Sequence, residues 1–322
     1  MDMLTRLIQL ARPQAGLDVR CLLGGHYDLP HSEATAGIAP FHVVLSGACR
    51  IDTATGESLI ARAGDFILLR KAHRVRSLAA EDVATPVPIY MEYDHLLPLR
   101  RTGEGAPEVD LLCGHFDYAR GPNELLFRTL PDPLHVSLTG QHVTDAADMP
   151  GMLKSLVDLM RQEAVGARAG ALAVVTALSQ ALFAMALRNH GEQHPQQASV
   201  LALIADARLS AAAQALLKNP GQAWTIEKLG ELAMMSRATF ARHFRARSGM
   251  TVWQFLTEAR MALACDLLRE TRRSAADIGM EVGYQSEAAF GKAFRQHTGE
   301  MPGQYRRRLR QHPAAGSTGG AA

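Results

Sequence analysis

Apolar and polar positions change rhythm along the chain. From about residue 18 to 140 the apolar positions come in short runs bounded by turn residues: Phe41-His42-Val43-Val44-Leu45 stops at Ser46-Gly47, and Ala63-Gly64-Asp65 turns into Phe66-Ile67-Leu68-Leu69. Further runs cover Arg50 to Asp52, Ser58 to Ala61, Val87 to Glu92, Val109 to Tyr118 and His135 to Leu138. Many short strands at regular spacing with glycine turns predict a small sandwich or barrel. Around Pro150 the period lengthens to that of a helix, with segments predicted over Met152 to Gln162 and Ala169 to Asn189. In the second, Leu172, Val175, Leu178, Leu182 and Met185 recur every three or four residues and form one apolar stripe. The stripe is either a cover for the barrel or a seam between two copies of the chain, a use that abundant alanine would suit. The polar stretch His190 to Gln197 reads as a linker. The Gly/Ala/Ser-rich residues after His312 read as a disordered tail.

The last third states one pattern twice. Ser236 to Arg245, closed by Gly249, returns fifty positions later as Ser286 to Arg295, closed by Gly299. Each copy follows its own short amphipathic segment, which predicts two helix-turn-helix units in one polypeptide and two recognition helices for one duplex. In the first unit Thr225 is a plausible N-cap, Ile226, Leu229, Leu232 and Ala233 face inward, and Ser236 caps the second helix. Phe240 and Phe244, four apart, share a face and must enter the core. At about 100° per residue, Arg242 lies opposite them, with Ala238, Thr239 and Arg245 on the same outer side. In the second unit Ser274 to Asp277 forms a capping-box pattern, Gly283-Tyr284 make the turn and Ser286 caps the reading helix. Phe290 and Phe294 take the core positions there, leaving Ala288, Ala289, Lys292 and Arg295 outward. Thr251 to Glu270 reads as one helix, a rigid spacer that would set the reading helices in successive major-groove faces about 34 Å apart.

Charge sharpens this division. The chain carries +2 overall, yet Ser199 to Gln311 holds 17 Lys/Arg against 10 Asp/Glu while the remainder holds 17 against 22. The basic balance therefore belongs to the repeated half, as a phosphate-binding module requires. Four cysteines, at 21, 49, 113 and 265, form no C-x-x-C pair and no zinc-finger spacing. The opening MDMLTRLIQLAR has an apolar stretch too short for an export signal. Thr176, Ser179 and Gln180 interrupt the apolar run Ala171 to Leu187, which falls short of a membrane span. A cytoplasmic protein without membrane partners is expected.

The repeated half resembles the AraC/XylS family of bacterial transcription regulators over about residues 200 to 310. The match rests on Ala233-Met234-Met235-Ser236, Ile278-Gly279-Met280-Glu281-Val282-Gly283-Tyr284, Ala289-Phe290, Phe294-Arg295 and Gly299-x-x-Pro302-x-x-Tyr305-Arg306. By that resemblance, base contacts come from Arg237, Ala238, Ala241 and Arg242 in the first unit and from Glu287, Ala288 and Lys292 in the second. Several of these are alanine where other members often carry larger side chains, so the first unit should rely on Arg242 reading guanine, with methyl contacts from alanine. Glu287 either accepts from a cytosine amino group or repels phosphate and lowers non-specific binding. Ser236, Ser286, Arg245, Arg295 and Arg306 look like backbone-positioning residues.

The strand-rich half resembles the cupin-type sensor domain of one branch of the same family, over about residues 3 to 190. The carriers are Phe41-His42-Val43-Val44-x-x-Gly47, Gly64-Asp65-Phe66-x-Leu68-Leu69-x-x-x-His73, and Leu112-Cys113-Gly114-His115-Phe116 through Leu130-Pro131. Catalytic cupins hold a metal with two histidines one residue apart, a glutamate and a distant histidine. Here His42 has no partner two positions away, and Arg70 and Lys71 stand where that motif has proline and glycine, so neither metal, cofactor nor enzyme activity is expected. His42 and His73 either converge on one ligand with His26, His31 or His115, or serve as hydrogen-bonded core residues. The opening residues, Cys21 with Leu23-Gly24 and Leu29-Pro30-His31, and Cys113-Gly114 look like a reactive-chlorine-responsive member, in which a cysteine pair is oxidised to switch on a defence operon. Arg20 beside Cys21 is the kind of cationic neighbour that favours thiolate, although a buried cysteine is ordinarily a small apolar filler. Cys49 and Cys265 read as structural.

These resemblances imply a multidomain α and β protein: a cupin-like sensor barrel over 1–140, a helical dimerisation and linker region over 141–190, an all-α double helix-turn-helix domain over 199–311 and a tail over 312–322. They also imply a transcription activator with promoter DNA, RNA polymerase and a second copy of the chain as partners. Its signal is either an oxidant acting on Cys21 and Cys113 or a small molecule held non-covalently in the barrel.

Overall fold

The computed structural model describes residues 2–78, 87–93, 95–103, 106–118, 121–138, 151–165, 168–194 and 196–311. After helix α1 (Met3–Ala11), the strands are β1 (Gln14–Leu23), β2 (Asp28–His31), β3 (Ile38–Thr53), β4 (Ser58–Arg62), β5 (Asp65–Leu68), β6 (His73–Arg76), β7 (Ile89–Glu92), β8 (Leu99–Thr102), β9 (Val109–Asp117) and β10 (Leu134–Ser137). Helix α2 (Leu125–Thr129) interrupts them before β10, and α3 (Gly151–Val165) and α4 (Ala171–Gln193) follow. The remaining helices are α5 (Val200–Ala205), α6 (Leu209–Lys218), α7 (Ile226–Leu232), α8 (Arg237–Ser248), α9 (Val252–Glu270), α10 (Ala275–Glu281), α11 (Glu287–Thr298) and α12 (Pro302–Gln311).

The chain divides into two compact units, one comprising Pro13–Tyr118 and Leu130–Gln193, the other Met1–Arg12, Ala119–Thr129 and His194–Ala322. Two segments within the expected sensor span 1–140, at its start and around α2, thus group with the helical unit. Met3, Leu7, Leu10 and Ala11 form a buried face on α1, and a nine-residue helix too short to stand alone must bury such a face against a partner. It packs with α2, α5 and α6 in the helical unit. Arg12 pairs with Asp266 at 3.3 Å and with Glu270, and Arg128 of α2 pairs with Glu258 at 2.7 Å.

In the strand unit the main path runs β10-β5-β3-β9-β1-β8-β7. The long β3 belongs to two sheets: its first half pairs β9 and β5, its second half β4 and β6. One sheet face closes on an apolar interior that includes Leu23, Val44, Ile51, Ile67, Val75 and Leu111. The other carries Phe66 and Phe116, against which Phe183 of α4 packs with ring centroids at 6.2 and 4.6 Å. Helix α4 is long and apolar enough, by length and composition alone, to cross a membrane. Here Val175, Leu182, Phe183, Ala186 and Leu187 are buried as a cover for the sheet. Of the expected stripe, Val175 and Leu182 are buried, Leu178 and Met185 half-buried, and Leu172 is 47% exposed. The helix also continues through the start of the expected linker, burying His190 and Gly191. The expected tail, residues 312–322, lies outside the described residues.

Candidate DNA interface and sensor core

The helical unit builds its outer surface from capped helices. Thr225, Ser236, Ser274 and Ser286 each accept a backbone N–H three residues on, at the starts of α7, α8, α10 and α11. A full capping box starts α9, where Thr251 and Gln254 exchange bonds. At α10 the Asp277 carboxylate accepts from the Ser274 hydroxyl at 2.6 Å, a variation on the expected box. Phe240, Phe244, Phe290 and Phe294 are fully buried. Phe244 meets Phe255 of α9 edge-on at 5.6 Å, and Phe294 meets Tyr305 of α12 in the same way at 5.4 Å.

With the phenylalanines anchored, the opposite faces of α8 and α11 meet solvent. Ser236, Arg237, Ala238, Thr239, Arg242 and Arg245 are exposed and Ala241 is half-buried; Ser286, Glu287, Ala288, Ala289, Lys292 and Arg295 are all exposed. Arg237, Ala238, Ala241, Arg242 and Arg245 line one groove with Trp253 of α9, a residue the sequence reading left out. Arg237 also pairs with Glu227 at 3.0 Å. Glu287 sits in the first turn of α11, where the helix dipole favours an acid. Arg306, read from the sequence as a backbone-positioning residue, also makes inward bonds. It is half-buried, and its guanidinium donates to the carbonyls of Leu268 at 3.3 Å and Arg273 at 2.6 Å, tying α12 to the end of α9.

In the sensor, β1 and β9 carry Cys21 and Cys113 into the interior, where their sulfurs lie 4.0 Å apart. Because Cys21 pairs with Leu111 and Val19 with Cys113, the two cysteines are diagonal neighbours across the antiparallel strands. The expected cationic neighbour is different, since Arg20 is held by Asp110 at 2.8 Å. Arg100 of β8, in parallel register with Cys21, is the guanidinium that favours its thiolate. The hydrogen bond shared by the two sulfurs lowers Cys21 below its ordinary value against the effect of burial, and raises Cys113 well above. Cys49 and Cys265 are pushed up to about 12 by burial, in keeping with structural roles. Gly114 follows Cys113 for a packing reason, because a Cβ there would sit 2.3 Å from the Gly16 carbonyl oxygen.

The histidines regroup. His26 lies beside the Ser77 hydroxyl at 3.3 Å, and His115 is held by Asp18 at 2.9 Å, so neither joins His42 and His73 as expected. His31 does. His42 Nε2 is 2.8 Å from His73 Nε2, the His31 ring stacks on His73 at 4.6 Å, and His42 Nδ1 is 3.1 Å from the Cys113 sulfur. Burial lowers all three, His31 to about 4, His42 well below its ordinary value and His73 below its own.

Known proteins align with both halves. The family described as Cupin matches residues 2–192, and the family described as Helix-turn-helix domain matches residues 229–308. An uncharacterized HTH-type transcriptional regulator of Haemophilus influenzae is 34% identical over 307 residues, which cover 95% of this chain and 99% of that protein. The RCS-specific HTH-type transcriptional activator RclR of Escherichia coli is 30% identical over 313 residues, covering 97% and 99%. Among solved structures, the DNA-binding domain of AdpA in complex with a target DNA aligns with a TM-score of 0.32 and 32% identity, covering 34% of this chain and 99% of that one.

Proposed function

The chain belongs to the AraC family of helix-turn-helix transcription regulators with a cupin sensor domain, and from that premise we propose that it is a cytoplasmic activator switched by oxidation of Cys21 and Cys113. It is a DNA-binding regulator and not an enzyme. The observation that carries the redox reading is the buried pair of sulfurs 4.0 Å apart, with Arg100 favouring the thiolate of Cys21. The Cys21 sulfur takes chlorine from hypochlorous acid and hydroxide departs, to be protonated to water. The Cys113 sulfur then displaces chloride and gives up its proton. Two thiols and one hypochlorous acid thus become one disulfide, water, chloride and a proton, with two electrons passing from sulfur to chlorine.

A disulfide needs its sulfurs about 2.05 Å apart. Closing it between diagonal positions draws β1 along β9 and alters the sheet that α4 covers. Such a covalent constraint biases a two-state element, through which the DNA-reading helices change their grip on a promoter. At the duplex, Arg237, Ala238, Ala241 and Arg242, with Glu287, Ala288 and Lys292, face base edges. Ser236, Thr239, Arg245, Ser286 and Arg295 hold phosphates. The bound activator recruits RNA polymerase. The exposed Leu159, Leu172 and Val174 of α3 and α4 suit a homodimer seam.

A promoter-reporter assay in cells exposed to hypochlorous acid tests the switch. The unaltered protein is expected to raise expression, and Cys21→Ser and Cys113→Ser to abolish the response while binding DNA normally. An undiminished response in both variants would overturn the redox reading. Sedimentation tests the seam, with Leu172→Glu expected to yield monomers; a unaltered protein that is monomeric at assay concentration would rule the seam out.

A further inference from the structure

His31 on β2, His42 on β3 and His73 on β6 each offer one ring nitrogen within 4.8 Å of the other two. His31 Nδ1 lies 3.2 Å from the Leu29 carbonyl and His73 Nδ1 3.1 Å from the Lys71 carbonyl. A carbonyl oxygen only accepts, so both rings carry a proton on Nδ1, which leaves Nε2 as the nitrogen placed to take a ligand. His73 Nε2 therefore accepts from His42 Nε2. Backbone carbonyls that fix Nδ1–H are the usual supports of metal-binding imidazoles, because they set both the tautomer and the ring's aim. Two rings of this cluster already have that support.

We propose that His31, His42 and His73 form a three-imidazole site for one divalent transition-metal ion of borderline softness, with zinc as its type. Three neutral nitrogen donors with no carboxylate among them disfavour calcium and magnesium, which take oxygen ligands. Zinc accepts three histidines and leaves a fourth position for water or a ligand. Tetrahedral zinc at about 2.0–2.1 Å from each nitrogen spaces the donors about 3.3 Å apart. The present separations, 2.8 Å between His42 and His73 and no more than 4.8 Å elsewhere, bracket that value. His42 and His73 are buried while His31 is partly exposed, which gives the ion a route in. The donor set is not that of the catalytic cupins, for Val44 stands where the paired histidine would be, and His31 supplies the third nitrogen.

Binding requires His42 to give its Nε2 lone pair to the ion, so the ring proton moves to Nδ1 and points at the Cys113 sulfur, 3.1 Å away. Cys113 is thus a neighbour of a ligand and not a ligand. The site stands independently of the redox reading.

Calorimetric titration of zinc chloride into chelator-stripped, reduced full-length protein decides the matter. One ion per chain is expected, and His31→Ala and His73→Ala should each weaken binding by at least about 100-fold, beyond the usual loss for an outer partner. His31→Ala removes the most exposed of the three rings and is the variant that decides, with circular dichroism verifying its fold. The double variant Cys21→Ser/Cys113→Ser should keep one ion per chain and lose no more than the share of an outer partner, about 10–100-fold in affinity. No saturable binding by the unaltered protein, unchanged affinity in His31→Ala, or loss of binding in the double cysteine variant would each overturn the three-histidine site.

Discussion

Arg242 and Arg306 show how one residue type acquires two duties. Both are basic positions of the repeated half, yet α8 turns Arg242 to solvent opposite Phe240 and Phe244, while Arg306 spends its donors on Leu268 and Arg273. On a duplex selected from a random-sequence pool, Arg242→Ala is expected to lose about 1–3 kcal/mol of specific binding. Binding to unrelated DNA should change little, and equal losses on both in a gel-shift titration would assign Arg242 to phosphate. Arg306→Ala should instead lower the melting temperature. The outward position of Arg242 was legible in the sequence because helical periodicity and two phenylalanines suffice to place it. The inward bonds of Arg306 were not, since they depend on where the end of α9 falls. Cys21 teaches the same lesson: Arg20 is its neighbour in sequence, but β1 and β8 pair in parallel and bring Arg100. Such long-range pairing leaves no local signal. Arg100 favours the Cys21 thiolate, so Arg100→Gln should slow alkylation of Cys21 by iodoacetamide at neutral pH, and an unchanged rate by mass spectrometry would remove Arg100 from that role.

The two helix-turn-helix units match in their caps, inward residues and phenylalanine pairs because those features follow from periodicity and capping chemistry. Their turns differ. Two residues separate Ala233 from Ser236, whereas three separate Val282 from Ser286, and the left-handed position is Met234 at φ 53° in the first and Gly283 at φ 91° in the second. A side chain in that region costs free energy that glycine does not. Met234 is 82% exposed and loses little packing on removal, so Met234→Gly should stabilise the helical unit by about 1 kcal/mol; a lower melting temperature would contradict this. Asp206 supplies a second prediction. It accepts from His243 at 2.8 Å and from the backbone of Arg208 and Leu209 at 3.1 Å, joining the start of α6 to α8. Burial pushes its carboxyl up, but the Leu209 N–H, His243 and the Arg208 N–H together hold it below the ordinary value. A lowered carboxyl stabilises fully above its unfolded value of about 4 and less as pH falls toward the folded one. Asp206→Asn should therefore cost about 1–3 kcal/mol at pH 7, with the gap to the unaltered protein narrowing at pH 3 in urea melts. A gap independent of pH would show that its charge contributes nothing.

At the scale of the whole chain, the change from strand rhythm to helix rhythm located the barrel and the basic repeat, but not the core that receives each short helix. Short-period patterns report which face of an element is apolar and not which core receives it. For α1 and α2 the receiving core is that of the helical unit, far along the sequence. The histidine cluster was legible in part: convergence of His42 and His73 with a third ring was one of two readings, but which of His26, His31 and His115 joins them depends on a register that only the folded sheet defines. The placement of α1 has a direct thermodynamic consequence. Met3, Leu7 and Leu10 are at most 5% exposed, and fully burying one such side chain is worth about 1.5–3 kcal/mol. Removing residues 2–12 should then destabilise the helical unit by several times the effect of an ordinary surface mutation, and it also removes the Arg12 contacts to Asp266 and Glu270. The chain's two tryptophans, Trp224 and Trp253, both lie in that unit, so their fluorescence reports on its unfolding alone. The deletion is expected to move the fluorescence transition to lower urea concentration, and the bare end of α6 to bind apolar dyes. A fluorescence midpoint identical to that of the full chain would mean that α1 contributes nothing to the DNA-binding half and that the division of the chain drawn from its packing is wrong.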